Sequence, residues 1–265
     1  MQGLRQNRGK AGRGFMAEFI YGVQTRNRLE STIVIFLVWV AGSVDAISYM
    51  GLGHVFTANM TGNIVLLGLS LGEGNAAAAQ RSVLALAGFC AGVVAGAFIV
   101  ERKRTMPGWT TALITALCIE LAVLAGLTAA WHFSHDGQHQ GLVLYLLILL
   151  ASAAMGIQAT AVQHLKLPGI PTIVITTTLT TFITGLVVRT NSCDDEQRVP
   201  DAPVRWNQGT IILQFLACAV YCCSAVFSGM LHHWQPSLVV LPSLIALAVV
   251  LAGAFVLTQG QKRQA

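Results

Sequence analysis

The residues best suited to chemistry lie in one stretch, Gly42 to Gly72: GSVDAISYMGLGHVFTANMTGNIVLLGLSLG. It is mostly apolar, yet it carries Asp45, His54, Thr57, Asn59, Thr61 and Asn63, with Gly62 among them. A Gly51-Leu-Gly53 break sits in its middle. Amide and hydroxyl side chains of this kind either hydrogen-bond neighbouring helices or line a path for a polar solute. A carboxyl beside them adds a proton or cation site.

A second acid, Glu120, lies near the centre of another apolar run. A charged side chain at the bilayer centre costs about 2.5–3.5 kcal/mol on insertion scales. No lysine or arginine falls within the core of any apolar run, so neither acid has a basic neighbour in sequence. Each must be protonated, hydrogen-bonded, facing water or holding a cation. Proton or cation binding and a packing hydrogen bond are both open for Asp45 and for Glu120.

These residues must be positioned by membrane helices. The chain has 265 residues, 54% hydrophobic and 10% charged, and its mean hydropathy is +0.65. Soluble domains carry about 25% charged residues. Eight candidate membrane segments stand out, several of which approach or exceed the ~20 residues of a spanning helix. They are 31–50, 57–71, 82–100, 110–131, 141–162, 172–188, 209–231 and 237–257. The runs lack the alternation of a β-barrel. The fold class is therefore an all-α polytopic membrane protein.

The two halves, about 31–131 and 141–258, share a pattern. Gly42-Ser-Val-Asp-Ala, the Gly51/Gly53 break and Thr57-x-x-x-Thr61 are matched by Gly156-Ile-Gln158-Ala, a Pro168-Gly-Ile-Pro171 break and Thr172-x-x-x-Thr176. Gln158 stands where the first half has Asp45, and it donates and accepts without charge. The expected reading of the threonines is a pair of i, i+4 faces, Thr57 with Thr61 and Asn59 with Asn63. Helices starting at the breaks would direct the partial positive charge of their N-termini inward at Thr57 and Thr172.

Lysine and arginine favour the cytoplasmic side. Eight spans with the N-terminus inside leave Arg102, Lys103, Arg104 and Lys166 outside, out of 16 basic residues. Six spans plus two re-entrant segments, 57–71 and 172–188, leave only Arg81 outside. The expected architecture is the second, two inverted halves, with eight spans in a 4+4 repeat as the competitor. Residues 1–30 then form a basic, partly disordered cytoplasmic segment with no signal-peptide pattern, and 259–265 a cytoplasmic tail. Gly88, Gly92 and Gly96 form a small-residue ladder for helix packing.

The run Gly42-x-x-Asp45-Ala-x-Ser48-Tyr49 followed by Phe56-Thr-Ala-Asn-Met-Thr-Gly-Asn63 resembles the YoaK family of uncharacterised bacterial membrane proteins. Gly156-x-Gln158-Ala and the Thr-rich segment after it are similar to that family's second signature, and the resemblance spans roughly 31–258. It implies no substrate and no activity.

Enzyme chemistry has no motif here. There is no GxSxG, P-loop or strand-bound GxGxxG, no zinc-type Cys/His spacing, and no cofactor or metal is expected. The loop His132-Phe-Ser-His135-Asp136-Gly-Gln-His139 reads as solvated, and the six cysteines as reduced, packed thiols. Net charge is +5, but the basic residues sit in short connections, so nucleic acid is not an expected partner. Expected partners are the lipid bilayer, a small solute or proton, and further copies of the chain as a homo-oligomer. The expected function is a secondary transporter or channel for a small polar or anionic solute in the bacterial inner membrane. Its pathway would run past Asp45, His54, Thr57, Asn59, Thr61, Gly62, Asn63, Glu120, Gln158, Thr172 and Thr176, with proton coupling at Asp45 or Glu120. The alternatives are a structural or regulatory membrane subunit and, less favoured, a membrane-embedded enzyme.

Overall fold

The computed structural model describes residues 31–101, 111–133, 141–164, 179–180, 183 and 208–264. Among them there is no β-strand. The helices are α1 Ser31–Gly51, α2 Met60–Gly72, α3 Ala76–Glu101, α4 Thr111–Phe133, α5 Gly141–His164, α6 Gln208–Trp234 and α7 Leu241–Gln264. A 3-10 turn, Pro236–Leu238, joins the last two. The spans Ser31–Gly51, Ala76–Ile99, Gly141–Gln163, Ile212–Trp234 and Pro236–Val256 are long and apolar enough to cross a membrane. Within α4 the apolar stretch Ile114–Ala130 is shorter. The outer faces are apolar: Leu142, Phe98, Val256 and Ile212 are all more than 60% exposed. In water such a surface would aggregate; against lipid it is matched. The protein is an all-α polytopic membrane protein.

Helix α1 is the core. Ile33, Val34, Leu37, Val38, Val40, Ala41, Val44 and Ile47 are buried along its broad inner face, while Thr32, Phe36 and Tyr49 on the other side are exposed. It ends where Gly53 and His54 adopt positive φ, +79° and +63°. That conformation is easy for glycine and uncommon for other residues, and it reverses the chain.

The threonine faces expected from sequence require one correction. Helix α2 begins at Met60, not Thr57, and Asn59 is its N-cap, with Oδ1 accepting from the Gly62 N–H at 3.2 Å. Thr57 therefore lies in the non-helical connection before α2 and shares no helical face with Thr61. Asn and Asp compete with helical hydrogen bonding and favour caps, and Asn59 ends the extended approach for that reason.

The direction of α2 follows from two contacts. The Asn63 side chain bonds both the N–H and the C=O of Phe56, and the Phe56 ring stacks on Tyr49 of α1 at 5.2 Å. Arg81, in α3, donates Nε–H to the Gly53 carbonyl at 2.9 Å. Thr57 and Ala58 sit at the level of Asp45, about 9 Å below the end of α1 at 1.5 Å per residue. Were α2 to continue away from the break, Arg81 would lie about 20 Å from Gly53 along the axis, beyond the reach of its side chain. Instead α2 turns back toward the end of α1 that the chain has just left. Residues 52–59 and α2 thus form a hairpin whose second arm is about 20 Å long, and α3 starts from its tip.

The α3–α5 seam uses the glycine ladder. A Cβ at Gly88 would strike the Leu149 backbone, one at Gly92 the Ala153 backbone, and one at Gly96 Thr160 and Ile157. Numbers rise together on both helices, so α3 and α5 run parallel. From the opposite side, Gly156 of α5 meets the backbone of Phe89, Gly92 and Val93. Close backbone approach through small residues is how helices associate without a hydrophobic drive between them. Since α3 descends from the end of α1, α5 is antiparallel to α1.

The free cysteines Cys90, Cys118, Cys222 and Cys223 are exposed and Cys218 half-buried. The expectation of packed thiols is thus corrected: four of these five face outward, where a small apolar side chain suits lipid. Cys193, His135, Asp136 and His139 lie outside the described residues.

Candidate functional site

The hairpin is anchored on Asp45. Its carboxyl Oδ1 accepts from the backbone N–H of Thr57 at 2.8 Å, of Ala58 at 2.7 Å, and from Thr57 Oγ1 at 3.4 Å. Its Oδ2 accepts from the Tyr221 hydroxyl of α6 at 2.5 Å. Ser48 Oγ and Thr57 Oγ1 are 3.4 Å apart. Asp45, Ser48 and Thr57 are all buried. Two adjacent N–H groups in an unpaired stretch of backbone need an acceptor once water is excluded, and Asp45 supplies it. Thus α1, the break and α6 meet at one carboxyl group.

Tyr221 reaches Asp45 because Gly42, one turn earlier on α1, lets α6 approach closely: a Cβ there would meet the Tyr221 carbonyl and the Ser224 hydroxyl. The spacing Gly42-x-x-Asp45 is therefore a contact followed by its hydrogen bond on the same helix face.

The other expected residues separate into three groups. Asn63, fully buried, and Asn59 serve the hairpin itself, through the Phe56 backbone and the α2 N-cap. Gly62 lies under the Phe56 ring; a Cβ would come within 2.8 Å of Cδ2 and 3.1 Å of Asn59 Nδ2. His54 and Thr61 are exposed, with the His54 ring edge-on to Tyr49 at 5.0 Å. Gln158 of α5 donates Nε2–H to the Leu37 carbonyl of α1 at 3.1 Å, which ties the two halves together. Its Oε1 has no hydrogen-bond partner. Glu120 is fully buried on α4, and among the described residues neither carboxyl oxygen has a hydrogen-bond partner. Thr172 and Thr176 lie outside the described residues.

The donors that a helix N-terminus at Thr57 would offer a solute are thus already held by Asp45. Unspent hydrogen-bonding capacity lies elsewhere, at Glu120, the Gln158 Oε1 and the hydroxyls of Ser43, Ser152 and Ser243. Sequence reasoning missed Tyr221 and Arg81 as site residues. Each left a signal: Tyr221 is the lone phenol in a run of small and apolar residues, and Arg81 was the single charge that the re-entrant topology left on the far side. No group of three or more His, Cys, Asp or Glu side chains able to hold a metal occurs among the described residues.

Comparison with known proteins agrees with this picture at the level of class. A family model described as "Protein of unknown function (DUF1275)" matches residues 33–256. The UPF0700 transmembrane protein YoaK of Bacillus subtilis (strain 168) is 39% identical over 154 residues, 58% of this chain and 65% of that protein. The match thus covers just under two thirds of that relative's length. No solved structure matches.

Proposed function

Since the chain belongs to the DUF1275 family, a family defined without an activity, we propose its function from geometry: a secondary transporter or channel for a small polar or anionic solute, coupled to protons. The observation that carries this is the hairpin 52–72. It places non-helical backbone, residues 52–59, beside a buried carboxyl in the interior of an apolar helix bundle. Irregular backbone at membrane depth is tolerated where it is enclosed by protein or lines a cavity. Broken helices at repeat interfaces are a recurrent way to build solute sites.

Two contacts and one helix direction fit the inverted repeat expected from the sequence and support the proposal. Gly42 of α1 packs on α6, and Gly156 of α5 packs on α3. Helices α1 and α5 run antiparallel, as inverted copies must and parallel 4+4 copies do not. The chain would sit in a bacterial plasma membrane with both termini in the cytoplasm, since the basic residues then gather inside. Arg81, the exception, gives its Nε–H to Gly53.

A structural or regulatory subunit is the second reading, favoured by the Asp45 cluster, whose polar groups satisfy one another. Flux measured in proteoliposomes separates the two. Anions, amino acids and other small polar solutes are screened with and without a pH gradient. Accumulation that follows the proton gradient supports the transporter. Absence of flux for every solute, with a stable partner protein copurifying, supports the subunit.

A further inference from the structure

Glu120 differs from Asp45, the other buried acid among the described residues. It is 0% exposed, and among the described residues neither oxygen meets a donor. Helix α4 packs chiefly on α5 and α7, with fewer contacts to α3 and to the 3-10 turn. The buried polar residues that those elements offer are Ser152 and Gln158 of α5, Ser243 of α7 and Ser82 of α3. Among the described residues they bury no Asp, Glu, Lys, Arg or His. Asp45 is the opposite case: its two oxygens face two N–H groups and two hydroxyls.

Depth can be counted along the helices. Residues 134–140 reach under about 30 Å, less than the roughly 34 Å of α4, so α4 and α5 are antiparallel. Counted from the joined ends, Glu120 is about 20 Å from Phe133 and Ser152 about 17 Å from Gly141. With the joined ends level, the two depths differ by about 3 Å. Gln158 meets Leu37, and α1 runs against α5, so Ser43 lies about 9 Å from Leu37 just as Ser152 lies about 9 Å from Gln158. Ser43 joins the same level. All three are fully buried, and among the described residues all three carry oxygens without a hydrogen-bond partner. The level is near the middle of α4 and α5.

We infer that Glu120 is the proton-binding site of this protein, set in a mid-membrane layer with the hydroxyls of Ser43 and Ser152. A carboxylate with no donor and no cation beside it would bear the full desolvation cost of its charge. A carboxylic acid does not, and its O–H and C=O can each exchange a hydrogen bond with a serine hydroxyl or an entering solute. The proton leaves Glu120 for water or solute when the layer opens and returns when it closes. The coupling role rests on the transporter proposal; the proton site itself does not.

The test is made on full-length protein in lipid nanodiscs with dicyclohexylcarbodiimide, which attacks protonated carboxyls in apolar surroundings, and with infrared spectroscopy. Peptide mapping is expected to place the adduct on Glu120, at least tenfold lower in Glu120→Gln and unchanged in Asp45→Asn. The neutral-carboxyl C=O band of the wild type is expected to disappear in Glu120→Gln alone. Adduct on Asp45 with none on Glu120, or an infrared signature of ionised Glu120, overturns the site. Protection of Glu120 by sodium at constant pH makes it a cation site and overturns the proton assignment. In proteoliposomes Glu120→Gln is expected to abolish the dependence of uptake on the pH gradient; full retention overturns the coupling role. If the wild type moves no solute but the infrared result holds, the transporter proposal fails and the proton site stands.

Discussion

The Tyr221 hydroxyl of α6 lies 2.5 Å from Asp45 Oδ2 of α1, while the other carboxyl oxygen holds the backbone of Thr57 and Ala58. One side chain thus joins the second half of the molecule to the hairpin of the first. Any motion that separates α1 from α6 must break this bond or carry the hairpin with it.

Tyr221→Phe removes the hydroxyl and leaves the ring. Hydrogen bonds to a charged or partly charged acceptor contribute about 1.5–3 kcal/mol, so a clear fall in thermal stability is expected in detergent. Asp45→Ala is expected to cost more, since it strands two backbone N–H groups as well as the phenol. The double variant Asp45→Ala/Tyr221→Phe should be less destabilised than the sum of the two. Strict additivity would mean that the two groups do not act together.

Gly62 and Gly68 occupy the same helix with opposite surroundings. A Cβ at Gly62 would meet Phe56 within 2.8 Å, whereas Gly68 has nothing within 4 Å. Gly62→Ala is expected to destabilise by about 1–3 kcal/mol through overpacking. Gly68→Ala should be neutral or stabilising by up to about 1 kcal/mol through helix propensity. Thermal unfolding of the two variants side by side checks the sign of each. Equal tolerance would show that the Phe56 ring yields freely and that the hairpin is not packed as described.

The re-entrant course of α2 predicts sidedness. In a variant without native cysteines, a thiol at Glu73, an exposed position just past the helix, is compared with one at Asn27 before α1. Membrane-impermeant maleimide added to intact cells is expected to label Glu73→Cys and to spare Asn27→Cys. Labelling of both positions from one side alone would mean that α2 crosses the membrane, and the Arg81–Gly53 contact would have to be abandoned.

Membrane class, the long apolar helices and the chain break within the Gly42–Asn63 stretch were legible in the sequence. Each depends on composition along the chain: apolar runs of spanning length, the rarity of Asp and Glu inside them, and glycines spaced for a seam such as Gly88, Gly92 and Gly96. Even the turning back of α2 left a trace, because charge placement singled out Arg81. The roles of the polar residues were not legible. Thr57 and Thr61 are four apart, which suggests one helix face, yet the chain is not helical at Thr57 because Asp45 draws its N–H and that of Ala58 out of helical pairing. Tyr221 lies 176 positions from Asp45, and no local pattern relates them. Asp45 and Glu120 look alike as lone acids in apolar runs. Only packing distinguishes them: the donors that converge on Asp45 come from two other segments, and among the described residues none hydrogen-bonds to Glu120. Spacing within one segment settles which residues can share a face; which of them find a partner depends on what distant segments place there.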